Sequence, residues 1–196
     1  MTSTQVRIRT REPADVPVLA AALLAQQSET RYPFRDPLPI PVEVFLHAED
    51  AVRAWTAELN GHPVGHVCRT GPLTGFPAAD LLNELCAGAH GCDPADLAWV
   101  SALFVASEAR GLGLGRRLME QTVDDALNSG LRPCLEVLPT HPAAMSLYLA
   151  TGWRIVHRLR PDWLRAVVGE EGPDVRVMVL SDHKDGVARQ GRPVAG

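Results

Sequence analysis

The 196-residue sequence predicts a mixed α/β (α+β) domain, and three observations carry that reading. An apolar run at 99–105 leads into Arg110-Gly111-Leu112-Gly113-Leu114-Gly115 and then an amphipathic stretch at 116–128, in the order strand, glycine turn, helix. Residues 135–137, 140–148 and 154–158 follow as strand, helix, strand. Two strand-like runs at 51–59 and 64–70 flank Asn60-Gly61, a pair that tolerates the positive dihedrals of a tight hairpin, so they should pair antiparallel.

The remaining elements follow from local pattern. Residues 5–10 alternate as a strand, and 14–27 place Val16, Leu19, Leu23 and Leu24 at helical spacing. Residues 28–41 are rich in Pro and Arg and include Tyr32, Phe34 and Arg35, which reads as a loop suited either to wall a substrate site or to pack on the core. Pro72, Gly75 and Pro77 precede a helical patch at 78–87, and a Gly/Cys/Pro loop runs on to Asp96. In the long helix Leu114, Leu118, Met119, Val123, Ala126 and Leu127 form the expected core stripe, with Gly130 past its end. In the next helix Thr140 or His141 stands at the start, Pro142 suits the first position, and Gly152 suits the close. Strands at 154–158 and 175–180 are joined by a 161–173 loop holding Trp163 and Leu164. The expectation is a single domain over 1–180 and a polar, mobile tail at 181–196.

The glycine turn carries the chemistry. Alternate glycines keep side chains away from the backbone, and the first amides of the following helix lack internal partners at the positive end of its dipole, so the turn offers an anion site for a phosphate or pyrophosphate. Arg116 and Arg117 in a first helical turn oppose that dipole unless an anion sits beside them. Counting from Gly111 or Gly113, the sixth place is Arg116 or Leu118, which excludes a dinucleotide fingerprint, and no Gly-Lys-Ser/Thr follows to make a nucleotide-triphosphatase loop. Taken alone, the same turn also reads as glycines serving close packing.

Arg110-x-x-Gly113-x-Gly115 after an apolar strand resembles the coenzyme A pyrophosphate loop of the GNAT (Gcn5-related N-acetyltransferase) superfamily. A second block strengthens the resemblance: Ala144, Leu147, Tyr148 and Gly152 match that superfamily's downstream segment. His141 stands where the family usually has Asn, and Trp153 where it usually has Phe. The two blocks cover about residues 98–158. The resemblance implies the GNAT acyl-CoA N-acyltransferase fold, a mixed, twisted central sheet flanked by helices, with the cofactor in a splay between the strands ending near Val105 and starting near Leu135.

It also implies roles. The edge of Leu103, Phe104 and Val105 would bind the pantetheine arm and polarise the thioester carbonyl. Arg110, Gly111, Leu112, Gly113, Leu114, Gly115 and Arg116 would hold the pyrophosphate, and His141 would contact the cofactor or cap its helix. Tyr148 would be the general acid at the departing sulfur, since a phenol near pKa 10 and a thiol near 8.5 can share a proton. Many relatives carry a central-strand Glu as base, yet residues 98–105 contain no acid. Glu136, His141, Glu58 and His66 are the candidates for that role. The implied reaction is direct attack of a primary amine, on a small molecule or peptide, on acetyl-CoA. An acetyl-CoA sensor with little turnover is the alternative. Dimerisation is common in the family, so a homodimer is a further expectation.

Composition narrows the classes. With 46% hydrophobic and 21% charged residues and a net charge of -4, the chain lacks the basic excess of a nucleic-acid binder. No stretch approaches 18 consecutive apolar residues, and the N-terminus lacks a signal pattern, so a cytoplasmic protein is expected. Cys68, Cys86, Cys92 and Cys134 lack Cys-x-x-Cys spacing and read as reduced thiols. Cys86, His90 and Cys92 fall close together but lack a fourth ligand, so no metal is expected.

Overall fold

The computed structural model describes residues 5–181. Seven strands form one sheet in the order β1-β2-β3-β4-β5-β7-β6. They are β1 (Val6–Thr10), β2 (Ala51–Leu59), β3 (His62–Thr70), β4 (Leu97–Val105), β5 (Arg132–Val137), β6 (Trp153–Leu159) and β7 (Val175–Leu180). The helices are α1 (Asp15–Ala25), α2 (Gln27–Thr30), α3 (Val42–His47), α4 (Ala79–His90), α5 (Leu114–Asn128), α6 (Pro142–Ala150) and α7 (Asp162–Val168). Strands β1 to β4 are antiparallel neighbours, β4 and β5 are parallel across the α5 crossover, and β7 inserts antiparallel between β5 and β6. The expected mixed sheet is therefore present. Nearly all of the expected tail lies outside the described residues.

Local chemistry explains the joints. Asn60 and Gly61 both take positive φ, 52° and 82°, the pair a two-residue hairpin with the sheet's twist requires. Asp15, at the start of α1, accepts from both terminal nitrogens of Arg9 on β1 at 2.6 and 2.7 Å and from Thr56 on β2 at 2.9 Å, which ties the helix to the sheet. On the other face Arg69 of β3 meets Asp125 of α5 at 2.6 Å while itself almost fully buried. Asn83 of α4 accepts from the Trp99 indole at 2.9 Å and exchanges two bonds with the Leu73 backbone, fixing the 71–78 segment to β4.

Three expectations need correction. Leu127 is 42% exposed, whereas Thr122 is buried and donates its hydroxyl to the Leu118 carbonyl. At 100° per residue the stripe from Leu114 runs through 118, 122 and 126, and 127 is carried past its edge. The stretches 28–41 and 161–173, expected as loops, contain the end of α2 and all of α7, and α3 at 42–47 is a further short helix, because two turns or fewer give periodicity too little length to show. His141 occupies the N-cap position of α6, but its side chain makes no capping bond. No helix among the described residues is long and apolar enough to cross a membrane.

Candidate active site

Strands β4 and β5 pair over only four positions, from Leu97 opposite Arg132 to Val100 opposite Leu135, and then separate. A bulge in β4 marks the point of departure. Opposite β3, His66 faces Phe104 and Cys68 faces Ser101, so one β3 residue stands against two of β4. Ala102 within the bulge holds φ at 51°, an uncommon value for a residue with a Cβ. His66 pins it: its ring Nδ1 donates to the Ala102 carbonyl at 3.0 Å, and Nε2 accepts from Arg11 at 3.2 Å. The bent strand leaves a cleft of about 1360 Å³ between its C-terminal half and β5, roughly twice the middle of the usual range for a single small-ligand pocket.

One end of the cleft is the glycine turn. Gly111 and Gly113 take φ of 79° and 73°, and a Cβ built at either meets no atom within 4 Å. Glycine is needed there for the backbone dihedral and not for packing, and the space beside it is open. Gly115 alone of the three lies near side chains, those of Val105 and Leu147. The α5 ladder begins with the Arg117 amide bonding the Gly113 carbonyl at 3.1 Å, so the amides before it face outward from the helix start. Gly111, Gly113, Leu114, Gly115, Arg110 and Arg116 line the cleft, as do Leu103, Phe104 and Val105. Leu112 turns its side chain to solvent, 45% exposed. Arg110 reaches across to Gln26 at 2.7 Å and so ties the turn to the end of α1.

Across the cleft stand the titratable groups. Tyr148 is buried on α6 against Trp153, ring centroids 6.1 Å apart, and burial pushes its phenol up to about 12. Its hydroxyl therefore keeps its proton at neutral pH. Glu136 on β5 is exposed into the cleft, and partial desolvation by the cleft walls pushes its carboxyl up to about 6. His141 stands edge-on to Tyr32 at 5.6 Å, its Nε2 buried without a partner among the described residues. Burial lowers its pKa, and Arg31 adds to that against an opposing bond with the Thr30 backbone. Burial, and secondarily the nearby Tyr148, raise the pKa of Tyr32.

The structure gathers Tyr148, Glu136 and His141 around one cleft but leaves the other two base candidates outside it. Glu58 is paired to Arg9 at 2.7 Å on β2, and His66 is walled in beneath the bulge. The bulge itself and the contribution of α3 had no signal in the sequence, since Ala102 is not a residue that announces positive φ. Among the described residues no group of three or more His, Cys, Asp or Glu is placed to hold a metal ion.

Comparison with known proteins agrees with this geometry. The model of the Acetyltransferase (GNAT) family matches residues 20–153. A GCN5-related N-acetyltransferase from Kribbella flavida superposes with a TM-score of 0.63 at 21% identity, covering 89% of this chain and 96% of that one. Ribosomal-protein-alanine N-acetyltransferase from Brucella melitensis gives 0.62 at 21% identity, covering 88% and 98%. The yncA protein of Salmonella typhimurium, solved with acetyl-CoA, gives 0.62 at 16% identity, covering 94% and 99%. At these identities the likeness is one of fold. A search of curated proteins finds no significant match.

Proposed function

The chain belongs to the GNAT acetyltransferase family and is an acyltransferase, and from that premise we propose that it acetylates a primary amine by direct attack on acetyl-CoA. The observation that carries the proposal is geometric: one cleft is lined both by the buried Tyr148 phenol and by the Glu136 carboxyl. The open glycine turn and the outward amides of α5 fit a pyrophosphate, and the unpaired half of β4 offers Leu103, Phe104 and Val105 to a pantetheine arm. Acetyl-CoA, when bound, supplies the activated acetyl group.

The residues then divide the work. Glu136 takes a proton from the incoming ammonium, leaving a neutral amine. Backbone N–H groups of the β4 edge donate to the carbonyl oxygen as charge gathers there. Tyr148 hands its hydroxyl proton to the departing sulfur and recovers one from the nitrogen, so of the three ammonium protons one stays on the amide nitrogen, one ends on the thiol and one leaves through Glu136. His141, held neutral, lines the cleft at the start of α6.

Substitution tests both roles. Tyr148→Phe should lower kcat by about 100-fold or more while acetyl-CoA still binds, the size expected of a lost general acid. Glu136→Gln should lower kcat/KM similarly and remove the limb of the pH profile that rises through about pH 6. Tight acetyl-CoA binding with no turnover on any amine would instead favour a sensor.

A further inference from the structure

The cleft is larger than its cofactor half, and the other half has a chemistry of its own. Beyond Glu136 it is walled by Tyr32, Phe34, Phe45 and Trp163, contributed by the 31–41 segment, α3 and α7. The rings brace one another in pairs: Tyr32 against Phe45 at 6.5 Å and 64°, and Phe34 against Trp163 at 6.4 Å and 60°. Both pairs join segments distant in sequence, and all four rings stay partly accessible while they line the cleft. Carboxylates outnumber guanidiniums in this half. Glu49, Asp50 and Glu136 supply three carboxylates, whereas Arg35 lies on the Trp163 ring, 4.2 Å from the centroid, and Arg31 on the Phe34 ring, 5.4 Å from it.

Resting on the acyl-transfer reading above, we propose that the acceptor is an amine borne on an aromatic or branched apolar body that carries no carboxylate of its own. The rings form a chamber for such a body, removing its apolar surface from water and offering edges and faces to an aromatic ring. The carboxylates attract an ammonium and repel the acid group of an amino acid. A polyamine has no apolar body to fill the chamber, and Glu49 and Asp50, exposed to solvent at the end of α3, are poor partners for its further ammonium groups. The transfer forms an N–C bond and breaks a C–S bond, yielding the acetamide and coenzyme A thiol.

The test uses the full chain with acetyl-CoA and four amines, phenethylamine, isoamylamine, phenylalanine and spermidine, following thiol release and product mass. Phenethylamine and isoamylamine should exceed the other two at least tenfold in kcat/KM. Trp163→Ala should raise KM for phenethylamine about tenfold while KM for ethylamine and the Kd for acetyl-CoA change less than twofold. Phe34→Ala gives the same comparison should the first variant fail to fold. Acetylation of spermidine or phenylalanine in preference, or equal KM rises for phenethylamine and ethylamine, overturns the chamber and leaves amine acetylation standing. Calorimetric binding of phenethylamine to the coenzyme A-loaded protein, with no acetylation of any amine, supports the chamber and overturns the transfer reading instead.

Discussion

His66 is an imidazole with no exposed surface, donating at one nitrogen and accepting at the other, and that arrangement has a consequence in solution. Burial pushes its pKa down to about 4, with Arg11 adding to the effect and the Ala102 bond opposing it. Because the folded chain binds this proton more weakly than the unfolded chain, whose value is near 6.5, the stability held by neutral His66 is complete above 6.5. It is lost progressively as pH falls from 6.5 toward 4, by an amount on the order of 3 kcal/mol. Urea unfolding of the wild type and His66→Gln between pH 7 and 4.5 should show the steeper loss in the wild type. Parallel slopes would mean the ring already titrates freely. The carboxylates common to both proteins cancel in that comparison. Glu136 has the opposite sign, its raised pKa disfavouring the ionised form, a state suited to the proton capture proposed for it.

At the scale of elements, the approach of α5 to the sheet depends on Gly65 of β3. A Cβ there would stand 3.0 Å from the Phe104 carbonyl and 3.3 Å from both Ala57 Cβ and Leu118 Cδ1, so backbone and helix would have to part. Gly65→Ala should cost about 1–3 kcal/mol by overpacking, visible as a fall in Tm of about 2–10 °C. An unchanged Tm would show that α5 shifts freely. Gly113→Ala is a contrasting case: no neighbour opposes its Cβ, so its cost is confined to the φ of 73° and should be about 1–2 kcal/mol. Gly65 lies in a strand where glycine has no special dihedral, so its role was invisible in the sequence. Gly113 was legible because the turn it serves is local.

The same contrast holds across the molecule. The cofactor half of the cleft was readable because strand, turn and helix follow one another within residues 97–128, and each leaves its own periodicity or glycine signal. Tyr148, Glu136 and His141 came from a second continuous block. The acceptor half was only partly readable: Tyr32, Phe34 and Arg35 were marked by composition, but nothing local says that Phe45 and Trp163 meet them from α3 and α7. The β4 bulge depends on His66, whose partner Ala102 is 36 residues away. A cleft assembled from such distant parts should report ligand binding through the stability of the entire fold. At a concentration about 100 times its Kd, acetyl-CoA should add about 2.7 kcal/mol, or roughly 5–10 °C in Tm for a chain of this length. Coenzyme A should give nearly the same shift, because on the proposed reading the pyrophosphate at the glycine turn and the pantetheine along β4 account for most of the contact, and the acetyl group adds little more than its carbonyl oxygen. Adenosine, which has neither, should give almost none. A shift with adenosine equal to that with coenzyme A would remove the turn from the binding site.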